Sequence, residues 1–114
     1  MIYVHEATAR LLEGEHAALG AAITIGLCGH WDHDGQCRWP HYTDVAEAEP
    51  HIVTRTIFVA DPTDEGEIRA RLDKQLRTGG LEVPEGTCSR WELLAVGPVE
   101  PTAEELDHGR RIRG

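Results

Sequence analysis

The chain has 114 residues, 40% of them hydrophobic, and sets 20 acidic side chains against 11 basic ones for a net charge of −9. That length is enough for one core and too short for two, so residues 1–114 are expected to form a single domain. The acidic excess disfavours a nucleic-acid partner, which needs clustered Lys and Arg, and no apolar run approaches the roughly 20 residues that span a bilayer.

The first residues, Met1 to Glu6, lack the basic and apolar regions of a secretory signal, which makes a cytoplasmic location the expectation. Residues 2–11 alternate between two sides and read as a strand. Residues 13–16 read as a turn, and Ile23, Ile25 and Leu27 restore the alternation over 21–27, which would close an antiparallel hairpin. A helix over 15–22 stays open, because Ala and Leu favour one. Residues 28–41 carry Gly29, Gly35 and Pro40 and read as a loop, and 44–50 as a polar connector. Residues 52–60, rich in β-branched side chains, form the clearest strand.

Asp61 and Thr63 are cap candidates for a helix in which Ile68, Leu72 and Leu76 recur every four residues, stopped by Gly79-Gly80. Residues 90–96 form a further strand with Trp91, Leu93 and Ala95 on one side, ended by Gly97-Pro98. Thr102 and Glu105 match a capping box for a short last helix that Gly109 should interrupt and that frays early. Its Arg110, Arg111 and Arg113 complement the helix dipole. The predicted fold is an α+β single-domain sandwich: a mostly antiparallel sheet of about four strands, one long and one short helix, and a metal-binding loop between the second and third strands.

That loop holds the functional signal. Cys28, His30, His33, Cys37 and His41 are five potential metal ligands within fourteen residues, beside Asp32, Asp34, Trp31, Arg38 and Trp39. Thiolate and imidazole suit zinc, and four of them complete a tetrahedral shell. The spacing, C-x-H-x₂-H-x₃-C-x₃-H, fits no standard finger. Pairing of the first two strands would place His5 across from Gly26 as a sixth candidate. The alternatives are a Cys28–Cys37 disulfide, which a reducing compartment disfavours, or unconnected polar side chains. Cys88 is left over.

Cys28-x-His30-x-Asp32-His33-x-Gly35 resembles the metallo-β-lactamase motif H-x-H-x-D-H-x-G with Cys in place of the first His. The likeness covers eight residues. The chain is too short for that fold and offers only His51, Cys88 and His108 as later ligands, so membership is not assigned. It does imply that an Asp in such a turn can ligate, orient a ligand or act as a base.

Three functions are compatible with this window. The first is a structural or accessory zinc site closed by four of the five candidates. The second is a small metal-dependent hydrolase or hydratase/lyase with an open metal position, Asp32 or Asp34 as the general base, and Trp31, Arg38 and Trp39 lining a substrate pocket. Trp31 and Trp39 nevertheless read more readily as core, and Arg38 as a solvated charge. The third is a sensor whose Cys28 and Cys37 release metal on oxidation. The partner would be a small molecule or protein, and the chain allows a homodimer.

Overall fold

The computed structural model describes residues 1–28, 39–48, 50–82 and 88–112. In chain order the elements are β1 (Ile2–Glu13), α1 (Ala17–Cys28), β2 (His41–Ala48), β3 (His51–Val59), α2 (Glu65–Arg77), β4 (Gly80–Glu82), β5 (Cys88–Val99) and α3 (Ala103–Ile112). A single 3-10 turn at Pro62–Asp64 leads into α2. The five strands form one antiparallel sheet in the order β2-β3-β1-β5-β4. Two crossovers interleave at its centre: β1-α1-β2 bridges over β3, and the connection from β3 through α2 and the short edge strand β4 to β5 bridges over β1. The protein is an α+β domain, and no described helix is long and apolar enough to cross a membrane.

Residues 21–27 are helical, which overturns the hairpin expectation. The stretch Ala-Ala-Leu-Gly-Ala-Ala-Ile-Thr-Ile-Gly-Leu-Cys is apolar on almost every side, so strand and helix periods both fit it. The buried positions, Ala18, Leu19, Ala22, Ile23 and Leu27, have helical spacing. β1 and β2 run parallel, each being antiparallel to β3, and a parallel connection needs a crossover rather than a tight turn. The segment after residue 28 therefore joins a helix to a strand, not two strands.

The expected connector at 44–50 is mostly β2. It is an edge strand: Tyr42, Asp44, Ala46 and Ala48 are exposed while Val45 packs on the core, hence its polar composition. In β5 an irregularity places Leu93 opposite Ala9 and Ala95 opposite Thr8, with Leu94 as the extra residue. Val96, not Ala95, thus shares the core face with Trp91 and Leu93.

α2 ends as expected. Gly79 adopts φ 71°, the left-handed conformation that closes a helix, and its N–H donates to the Leu76 carbonyl. At its start the N-cap is Asp64, and neither it nor Asp61 supplies a side-chain capping bond.

α3 has the reciprocal capping box. The Thr102 amide donates to Glu105 Oε1 at 2.9 Å, and the Glu105 amide to Thr102 Oγ1 at 3.1 Å. Gly109 does not break this helix, which runs on to Ile112. It is where α3 meets β1: a Cβ there would lie 2.6 Å from Ile2 Cγ2.

α1 and α2 cover one face of the sheet. Ala7, Ala9, Ile52, Phe58 and Trp91 point into them and meet Leu19, Ile23, Ile68, Leu72 and Leu76 in the main core. α3 covers part of the other face, over Ile2 and Ile57.

Candidate functional site

His30, Trp31, Asp32, His33, Asp34, Cys37 and Arg38 lie outside the described residues. Both ends of their segment are described. Cys28 is the last residue of α1, and His41 opens β2 opposite Phe58.

The ends are fastened to α2. Trp39 is 3% exposed and belongs to the main core, one of the two alternatives its sequence context offers. Its indole N–H donates to Asp64 Oδ2 at 3.4 Å, and the Arg71 guanidinium stands 5.1 Å from its ring centroid. The same Arg71 donates to the Gly26 carbonyl at 3.5 Å and contacts Glu67 at 3.2 Å. One arginine therefore reaches the last turn of α1 and the residue before Pro40.

His41 Nδ1 lies 3.1 Å from the Trp39 carbonyl. A carbonyl only accepts, so Nδ1 carries a proton in this contact. Metal-binding imidazoles are commonly oriented by such a bond.

His5 is not beside α1's end. β1 is the central strand, and His5 faces Thr56 on β3 and Pro98 on β5 instead of Gly26. It is 3% exposed and satisfied at both nitrogens. Arg69 Nη1 donates to Nδ1 at 2.9 Å, which leaves Nε2–H to donate to Asp73 Oδ1 at 2.7 Å. Burial pushes its pKa below 6.5; Asp73 opposes that shift and the Arg69 charge adds to it. Arg69 also donates to the Val4 carbonyl and to Glu65, and lies over the Tyr3 and Phe58 rings.

A second polar cluster sits on the opposite face. Arg55 makes a two-pronged contact with Glu105 at 2.7 and 2.8 Å and a third bond to Glu6 at 2.6 Å. These bonds, the Glu105 ones foremost, raise the arginine's pKa and hold the Glu105 carboxyl at about 2. Beside it is a 430 Å³ groove lined by Tyr42, Asp44, Glu104 and His108 among others. Neither arginine cluster is visible in sequence, because partners such as His5 and Asp73 are far apart in the chain.

Among the described residues no group of three or more His, Cys, Asp or Glu side chains is arranged to hold a metal ion. Cys88 is an exposed free thiol at the start of β5. Comparison with protein-family models, curated proteins and solved structures gives no match.

Proposed function

We propose that this protein binds zinc through the segment from Cys28 to His41, and that the ion has a structural or accessory role. The observation that carries this reading is the ligand density, two thiols and three imidazoles in fourteen residues. The anchoring of both flanks supports it. With Gly26 and Trp39 held by Arg71, much of the loop-closure entropy is already lost on folding, and the ion has less chain to order. The Nδ1–H of His41 donates to the Trp39 carbonyl, a bond of the kind that orients metal-binding imidazoles.

Metal analysis and X-ray absorption on the native protein test the proposal. One zinc per chain with mixed sulfur and nitrogen donors is expected, and replacing any true ligand among Cys28, His30, His33, Cys37 and His41 should cut the stoichiometry or the affinity. Protein that binds no metal even when zinc is supplied under reducing conditions would end it.

Five candidates exceed the four a closed shell needs, and Asp32 and Asp34 lie among them. That surplus favours a second reading, an open site in which three side chains hold the ion and a carboxylate serves a bound water as general base. The coordination number separates the two: four protein donors for the closed site, three plus an exchangeable oxygen for the open one.

A further inference from the structure

Arg69 is only 15% exposed, yet the partners that surround it do not use all of its donors. A guanidinium carries one N–H on Nε and two on each Nη. Nε–H goes to Glu65 at 2.8 Å, and the two on Nη1 go to the Val4 carbonyl and to His5 Nδ1, each at 2.9 Å. Neither N–H group of Nη2 has an acceptor among the described residues. The guanidinium is also wedged against two rings, its carbon 5.3 Å from the Phe58 centroid and 5.7 Å from that of Tyr3, so these bonds and contacts fix where Nη2 sits. Largely buried donors left without an acceptor are uncommon and costly.

The unmet corner belongs to a cavity. Arg69 lines a 460 Å³ cleft between α2, the start of β1 and the end of β5, a volume within the roughly 300–1,000 Å³ of small-molecule sites. Ile2, Tyr3, Pro98, Val99 and Pro101 line it too and offer mostly apolar surface, with Glu65 and Glu100 beside them. Because Nε and Nη1 are taken, Nη2 is what the arginine has left for a molecule in this space.

We infer that the cleft binds a small uncharged carbonyl compound, of the amide, ketone or lactone kind, with its oxygen on Arg69 Nη2 and its apolar body against Tyr3, Pro98 and Val99. The free donors require an acceptor, and the walls require an apolar body. Charge selects a neutral acceptor over a carboxylate. Glu65 already pairs with the guanidinium and Glu100 adds a further negative charge, so a carboxylate would enter uncompensated. A cation would leave the Nη2 donors unmet.

Titration of the full chain with hexanamide, hexanoate and hexylamine, which share a tail and differ in head group, tests the site when followed by NMR of the Tyr3 and Arg69 side chains. Saturable shifts are expected with hexanamide, with hexanoate bound about fivefold more weakly and hexylamine not at all. Arg69→Leu disturbs the buried network as well as the cleft, so the blocking variant is Pro98→Trp, at an exposed position. It should abolish the hexanamide shifts while the circular dichroism stays that of the wild type. Glu100→Gln should bring hexanoate closer to hexanamide. The absence of any saturable shift, hexanoate bound as tightly as hexanamide by the unaltered chain, or binding that survives Pro98→Trp would each overturn the assignment.

Discussion

Arg69 and Arg55 occupy opposite faces of one sheet, and each gathers polar groups around a guanidinium. On the face covered by α1 and α2, Arg69 is 15% exposed and is shared among Glu65, a backbone carbonyl and an imidazole that is itself 3% exposed. On the α3 face, Arg55 is 26% exposed and is met by Glu105 and Glu6. Under the thick layer the charge is paired with Glu65 while a tautomerically fixed histidine and a carbonyl accept its other N–H groups, and under the thin one it meets two carboxylates open to water at one side. The depth of the helix cover thus decides whether a polar cluster works as a buried network, in which every member depends on the others, or as a clasp that fastens one helix.

Substituting the two arginines alike should expose this difference most strongly. Arg69→Leu removes the donor to His5 Nδ1 and the Val4 carbonyl inside the packed layer, and a loss of about 3–5 kcal/mol in urea unfolding is expected. Arg55→Leu should cost about 1.5–3 kcal/mol, because Glu6 and Glu105 can turn to solvent. Equal losses would mean that helix cover does not set the energetics. A smaller effect, about 1–3 kcal/mol, is expected for Gly109→Ala, whose new methyl meets Ile2; Ile2→Ala in the same chain should recover part of it. Hydrogen exchange should then accelerate in α3 and leave α2 unchanged.

Acid should weaken the two clusters in separate windows. His5 has its folded pKa below 6.5, so the folded state binds fewer protons than the unfolded one. Its contribution is complete above pH 6.5 and is lost as the pH falls from there through the lowered value. Protonation would place N–H against the Arg69 guanidinium, with the Asp73 carboxylate in contact at the other nitrogen. Glu105, held at about 2 against an ordinary 4.5, contributes fully above pH 4.5 and loses that contribution as the pH drops toward 2. Urea midpoints across pH should show both steps, the first absent in His5→Leu and the second in Glu105→Gln. A midpoint unchanged between pH 7 and pH 5 would contradict the buried neutral histidine.

The elements readable from sequence were those whose pattern admits one period. Ile68, Leu72 and Leu76 fit only a helix, and residues 52–60 only a strand. α1 was ambiguous because a helix buried on most sides loses its polar stripe, and β2 because an edge strand with few apolar residues looks like a connector. Gly109 departs from its pattern for a different reason: propensity predicts a weak point, whereas contact with Ile2 requires the missing side chain. The proposed ligand set rests on local sequence spacing, and of its surroundings the structure adds the anchored ends at Gly26, Trp39 and His41. The arginine clusters depend on partners up to 68 residues apart, such as His5 and Asp73, and local pattern carries no trace of them.

The strand nearest the N-terminus is also the middle of the sheet, flanked by β3 and β5. During synthesis β1 therefore emerges with both its hydrogen-bonding sides unmet, and the second is not matched until residues 90–99 have been made. Assembly depends on distant pairings, which makes for slow folding and a long interval in which a nascent chain presents unpaired strand edges to its neighbours. Shortening the chain ahead of β5 should thus yield aggregates, not a smaller domain.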